Sequence, residues 1–341
     1  MTQKNYQAWE VRVDDFYDQK NLFDQLSFLV RFAVLAPSSH NSQPWKFEVR
    51  ENQIMVRPDM RRALPQSDTN HRQLFISLGC ALENFLIAAD YYGFATQIAY
   101  QDDGASISFQ RNRQESLQDK DHLVFSIPKR HTNRNPYDDR MPDEQFVTLV
   151  KSLATDEMRI DCITDQNIKN KTADIVIAAG IAAMDDRGFR EELSHYIKSN
   201  ITKASIGMPG FGFGMPLPVS LIASFVLKRF NMNKLSRKQD EKLLKEHTPV
   251  MVVISSKEDN TKTWMEAGQC YESIALAAEK NNINTAPMAA AIQIGNFYQE
   301  LQKNLGISFR PQVFFRMGYA SKTTLHSPRL SVDKVIMGLS S

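Results

Sequence analysis

The feature that most restricts how this chain can fold is a repeat. Residues 79–96 laid over 268–285, an offset of 189, match Gly79 with Gly268, Glu83 with Glu272, Ala88 and Ala89 with Ala277 and Ala278, and Thr96 with Thr285. Five identities in these 18 positions stand against roughly one expected from average composition. A second gapless pairing, at offset 118, lays 12–36 over 130–154, so that both segments open on an arginine and end in Leu-Ala. The offset grows by 71 residues between the two anchors, and the surplus falls where the second half carries a Gly/Pro-rich stretch and extra helical periodicity. The pattern predicts two copies of one unit in tandem, with a lid inserted in the second. Two unrelated amphipathic helices that share small residues remain the alternative.

Local patterning fills in the unit. Apolar residues recur at helical spacing over 22–36 and stop at Pro37. The runs 46–50 and 54–57 read as a hairpin, 71–92 as a long helix with Gly93 at its C-terminal cap, and 94–110 as strands. A charged connector at 110–121 follows. In the second half, 142–154 reads as a helix, 159–164 as a strand and 168–198 as largely helical. Beyond the Gly/Pro loop come a basic amphipathic stretch (228–245), a strand at 249–255, helices at 264–280 and 289–305, and a strand at 311–316. Helices with scattered short strands predict an α+β fold, with halves 1–120 and 121–341 and the lid at about 200–247.

Composition removes several functions. Lys+Arg 41 against Asp+Glu 39 gives a net charge of +2, which supplies no field for holding nucleic acid. Cys80, Cys162 and Cys270 are far apart and form no CxxC pair, so neither a disulfide framework nor a metal site is expected. The polar, acidic N-terminal segment lacks the apolar core of a secretory signal, and the reading is a cytoplasmic chain. Residues 204–227 hold no charge and number 24, long enough to span a bilayer. Alternating glycines and prolines at 207–218 would break such a helix, leaving only 219–227 as an apolar helix. A mobile apolar loop over a site is therefore expected, with no membrane partner. A structural or membrane-touching role is the alternative.

The copies differ where chemistry would sit. The first has PSSHNSQPW at 37–45, where the second has Thr155, Asp156, Glu157 and Met158. The second has RHTNR at 130–134, where the first has Arg12, Val13, Asp14, Asp15 and Phe16. Arg130, Thr132 and Arg134 place two guanidinium forks and a hydroxyl within five residues, chemistry suited to a phosphate monoester, which Asp14 and Asp15 would repel. Ser38, Ser39 and Asn41 suit a planar heterocycle or a polyol, on a loop stiffened by Pro37 and Pro44. One composite site between the copies is expected rather than two symmetric ones. A surface pair of arginines and a capping loop is the other reading of the same residues.

The strings LAPSSHNSQPWKFEV (35–49), RHTNRNPYDDRMPDEQ (130–145), EAGQCYESIALAA (266–278) and FRMGYA (315–320) together resemble the flavin-dependent nitroreductase family, most strongly at the first two. That resemblance implies a single chain imitating the family's dimer, a monomer with one FMN between its halves. It assigns Arg130, His131, Thr132 and Arg134 to the phosphate, ribityl and pyrimidine side. Pro37, Ser38, Ser39 and Asn41 go to the opposite side, Arg329 of the SPRLS ending to the phosphate, and Thr285, Ala286, Pro287 and Met288 to the ring. The family's glycine-rich turn before that last group is absent, since 281–284 replaces it.

The implied activity is ping-pong hydride transfer from NADH or NADPH through flavin N5 to a nitroaromatic, a quinone or a similar small acceptor, with no catalytic protein acid or base. The alternative is a flavin-sequestering protein whose lid closes the ring off. No HExxH, GxSxG or P-loop string occurs, and GFGFG at 210–214 lacks the flanking pattern of a dinucleotide fingerprint and reads as a hinge.

Overall fold

The computed structural model describes residues 3–50, 53–111 and 121–337. In the first half, α1 (Leu22–Ala33) leads through the 37–45 loop to β1 (Trp45–Arg50) and β2 (Gln53–Pro58). Then come α2 (Arg72–Tyr91), β3 (Phe94–Gln101) and β4 (Gly104–Arg111). The second half runs α3 (Glu144–Ser152), β5 (Met158–Ile163), α4 (Gln166–Asp185), α5 (Arg187–Tyr196), β6 (Ile197–Lys198), β7 (Met208–Pro209), α6 (Leu217–Arg229) and α7 (Asn233–Glu246). It continues with β8 (Val250–Ser256), α8 (Thr261–Lys280), β9 (Asn284–Pro287), α9 (Ala290–Gln293), α10 (Phe297–Leu305), β10 (Arg310–Gly318) and β11 (Ile336–Met337). Most of the expected connector at 110–121 lies outside the described residues.

The repeat is visible in the topology. The first sheet contains the order β1-β2-β4-β3 and the second is β5-β8-β10-β9, the same order once each strand is replaced by its counterpart. Helices α2 and α8 occupy equivalent places and cross at the two glycines aligned in the sequence. A Cβ on Gly79 would lie 2.0 Å from the carbonyl oxygen of Met265, and one on Gly268 would lie 2.0 Å from that of Ile76. Ile76 and Met265 are themselves 189 apart, so the two contacts are images of each other. Only glycine lets the backbones approach this closely. One residue beyond the aligned glutamates the images differ in their bonds: Ser273 donates to Glu83, whereas Asn84 donates to Phe32 O at 3.3 Å.

The added segments sit in hairpin turns. The turn that joins β1 to β2 is replaced in the second half by everything between β5 and β8, and that between β3 and β4 by α9 and α10. The insertion therefore begins well before the expected lid. Helices α4, α9 and α10 build a second apolar core on the outer face of the second sheet, where Ala173, Val176, Ala291 and Leu301 meet Met251, Val253 and Phe314. Covered on both faces, β8 is buried throughout, whereas β3 alternates.

Several expected helices divide. The 168–198 stretch breaks at Asp186, whose carboxylate caps α5 by accepting from the Phe189 N–H. The 228–245 stretch breaks between α6 and α7, and 289–305 breaks at Gly295, whose φ is +47°. The chain finally returns to the first half, where β11 pairs in parallel with β1, Ile336 opposite Phe47.

Candidate functional site

The aligned half-sites come together in one cleft between the halves. Its wide end, a cavity of about 260 Å³, has apolar walls that include Pro37, Ile76, Met208, Tyr271, Pro287 and Ile294. A narrower chamber of about 50 Å³ adjoins it, walled by Trp9, Asn41, Arg130, His131 and Arg329. Pro37, Ser38, Thr132 and Arg134 border both spaces, and Ser39 borders the wide one. The shape is suited to a ligand with a flat apolar body and a compact anionic tail.

Local constraints position each wall. Past α1 the loop turns sharply: His40, Asn41 and Gln43 have φ near +53°, a costly conformation for residues other than glycine. Side-chain hydrogen bonds hold it there. Ser38 Oγ accepts from the Gln43 N–H at 2.9 Å, and Gln43 donates to Ser205 O at 2.7 Å and accepts from the Leu330 N–H at 2.8 Å. Asn41 Nδ2 donates to Gly207 O and Pro328 O, both at 2.9 Å, while its Oδ1 accepts from Arg329 at 2.8 Å. Asn41 thus borders the chamber with its side chain already engaged. Asn5 adds bonds to Thr202 O and Ala204 O, so the start of the expected mobile loop is pinned to the first half over 202–207.

On the opposite wall, Thr132 bridges to Thr285, and Asn133 N–H donates to Thr285 O at 3.1 Å, which fixes the arginine strip against β9. Arg130 is fully buried, with Nε 3.1 Å from Glu272 Oε1 and Nη2 donating to Leu35 O at 3.3 Å; its Nη1 has no hydrogen-bond partner among the described residues. Arg329 is equally buried, donating to Leu35 O and Ala36 O at 3.1 Å, just past the end of α1. Trp9 stacks 4.8 Å from its guanidinium. Arg329 Nε is also left without a hydrogen-bond partner among the described residues.

Electrostatically the chamber is short of negative charge. Burial, and then repulsion from Arg130, push Arg329 down to about 9. Burial raises Glu272 to about 7 despite the two arginines beside it. Two crowded cations thus face one carboxylate that is itself half protonated near neutrality. A phosphate group there would meet orphaned N–H donors and relieve the repulsion between the arginines.

Arg134 differs. Its half-buried guanidinium borders the wide cavity, has no carboxylate partner among the described residues, and lies 4.8 Å from the Phe213 ring. GFGFG is therefore no cradle: its phenylalanine covers Arg134, and Gly210–Phe213 form a single 3-10 turn.

Of the ring-facing group expected from the sequence, only Pro287 reaches the cleft. Thr285 and Ala286 are buried in β9 behind it, where the strand pairs with β10, and Met288 packs into the second core. The chain turns outward at Pro287, so Ala289, Ala290 and Gln293 line the wall instead. Sequence reasoning also missed Trp9, Met208, Phe213 and the role of Glu272. Of these only Glu272 carried a signal, its place in the repeat.

The segment aligned with the arginine strip builds no second site. Arg12 is exposed, while Phe16, opposite Arg134 in the alignment, stacks on Tyr92 at 3.9 Å in a cluster with Phe28 and Phe94.

No protein-family model matches the chain. Among curated proteins it is similar to a probable NAD(P)H nitroreductase, PigM, of Serratia sp., with 22% identity over 350 residues covering 95% of each chain. It is likewise similar to a putative NAD(P)H nitroreductase, acg, of Mycobacterium tuberculosis, with 22% identity covering 92% of this chain and 95% of that one. Among solved structures, the FMN- and NADPH-dependent nitroreductase NfnB of a Sphigopyxis strain aligns with 64% of this chain and 99% of its own, at 15% identity and a TM-score of 0.44. In sequence the chain is thus similar over most of its length to proteins named as NAD(P)H nitroreductases.

Proposed function

We propose that the chain is an oxidoreductase holding one FMN between its halves, 1–120 and 121–341, reduced by NADH or NADPH and reoxidised by a small electron-poor acceptor such as a nitroaromatic or a quinone. The names of its relatives support the nicotinamide reductant. The observation that carries the reading is the narrow chamber, where buried Arg130 and Arg329 hold unpartnered N–H groups around a space for a phosphate. When bound, FMN supplies reversible hydride acceptance at N5.

The chain's own residues do the rest. Arg130, His131 and Arg329 hold the phosphate, and Thr132 and Ser38 face the ribityl chain. Pro37, Ser39 and Pro287 confine the ring, with Ile76 and Tyr271 beneath. Arg134, with no carboxylate partner among the described residues, offsets the negative charge the ring gains on reduction. No protein acid is required: burial first, then Arg134, lowers His40 to about 4, so it is neutral at pH 7, and burial keeps the Tyr271 hydroxyl protonated.

Purified protein should be yellow, with one flavin per chain, and anaerobic NADH or NADPH should bleach the flavin's visible band. Colourless protein that takes up no added FMN, or two flavins per chain, would refute the placement. Retained flavin that neither nucleotide bleaches would instead favour sequestration, the reading that the clamp on 202–207 supports.

A further inference from the structure

Helix α6 is built inside out. Of fifteen exposed large hydrophobic side chains among the described residues, seven fall between 213 and 230: Phe213, Leu217, Val219, Leu221, Ile222, Phe225 and Phe230. The side of α6 that meets the protein carries mainly small and polar residues, Ser220, Ala223 and Ser224, beside half-buried Val226 and Leu227. Ser220, the helix's buried residue, accepts from the Asn200 N–H at 3.0 Å, and Ser224 donates to Ser194 O at 2.8 Å. A helix that covers a core carries its large apolar residues inward. Here they point to solvent, a patch of the kind that marks an interaction surface.

Charge beside the patch indicates what covers it. Residues 228–245 contain seven Lys and Arg against two acids, an excess of five positive charges in a chain whose net charge is +2. Lys228 and Arg229 at the end of α6, and Arg237, Lys238 and Lys242 on α7, are exposed. A second copy docking by the same patch would bring like charges together across a two-fold axis. Anionic headgroups would neutralise them. At 13 residues, α6 is roughly 20 Å long against a hydrocarbon core of about 30 Å, so it can lie in the interface but not span it.

We propose that α6, flanked by the basic residues of α6 and α7, docks this chain in the plane of a bilayer rich in anionic lipid. The expectation of no membrane partner rested on the glycine–proline breaks, and those end in the first turn of α6, at Pro218. Helix α2 is long and apolar enough to cross a membrane, but it is mostly buried in the core and takes no part. Phe213, on the rim of the patch, also covers Arg134, so docking turns one mouth of the cleft toward the lipid. An acceptor dissolved in the bilayer would enter by that mouth; this point rests on the redox reading above, whereas the docking does not.

Co-sedimentation of the full chain with vesicles tests the proposal without reference to activity. The chain should pellet with phosphatidylglycerol–phosphatidylcholine vesicles, stay in solution with phosphatidylcholine alone, and be released in part by high salt. Ile222→Glu with Phe225→Glu, and separately Arg237→Glu with Lys238→Glu, should each lower partitioning at least about tenfold, with circular dichroism confirming that both variants stay folded. Three results would overturn it: no binding of the parent chain to anionic vesicles, undiminished binding of the folded Ile222/Phe225 variant, or an α6-dependent dimer in sedimentation velocity that stays off the vesicles.

Discussion

Gly79→Ala tests the crossing on which both halves of the cleft are built. Its Cβ would lie 2.0 Å from Met265 O, whereas a carbon–oxygen contact between backbones settles at about 3.3 Å. The helices must therefore separate by roughly 1.3 Å. Overpacking of this size costs about 3 to 4 kcal/mol, against about 1 kcal/mol gained from the better helix propensity of alanine, leaving a net loss of about 2 to 3 kcal/mol. Gly268→Ala meets Ile76 O at the same distance and should lose a similar amount. Because one separation relieves both clashes, the double variant should lose clearly less than the sum. Urea unfolding followed by far-ultraviolet circular dichroism gives all three values. Gly180→Ala is the control: it has nothing within 4 Å in α4 and should gain about 1 kcal/mol. Single variants within about 0.5 kcal/mol of the parent, or strict additivity, would refute the account of the crossing.

Replacing Arg130 and Arg134 together with Ala should abolish flavin retention, since each charged hydrogen bond lost is worth about 1.5 to 3 kcal/mol; unchanged flavin content after gel filtration would count against the placement. Glu272 gives a pH signature in the flavin-free chain. Its carboxyl is raised from 4.5 to about 7, so the unfolded state ionises first, and stability falls as pH rises from 4.5 to 7 and is level above. Relative to Glu272→Gln, the parent should lose about 3 kcal/mol across that window, read from denaturation midpoints at each pH; a flat difference would be contrary. Asn41→Ala removes the bonds to Gly207 O and Pro328 O, so proteolytic cleavage in 200–216 should speed up and Arg329 should hold phosphate less well; an unaltered digestion pattern would show that the clamp lies elsewhere.

What could be read in advance followed the physics of short-range signals. Helix α1, which ends at Ala33 just short of Pro37, the 71–92 helix and the β1–β2 hairpin are set by local periodicity and turn chemistry. The continuous apolar run at 249–255 read as a strand, and it forms β8. The repeat aligned Gly79 with Gly268, but that the two glycines meet at the α2–α8 crossing is seen only in the structure. Illegible were contacts between distant segments. Trp9 reaches Arg329 because the chain returns through β11, and no pattern near residue 9 encodes that return. Breaks at Asp186 and Gly295 were hidden for the opposite reason, since helical periodicity runs on through them while caps and a positive φ interrupt the backbone.

The two buried glutamates show what joining the copies permits. In a dimer of identical chains, a residue that serves one site is present in both. Here Glu272 meets Arg130 and Arg329, whereas its image Glu83 hydrogen-bonds the neutral groups Ser273 and Gln269, and burial raises its carboxyl with no cation opposing it among the described residues. At the corresponding place in the strip, Arg134 borders an open cleft and Phe16 closes an aromatic core. One copy lines the polar cleft at this place, while the other fills it with packing. An arginine at position 16 would have to enter that aromatic cluster uncompensated, a change that breaks the fold before it builds a site. A single site, as proposed, would therefore follow from the core of the first half as much as from the charges in the second.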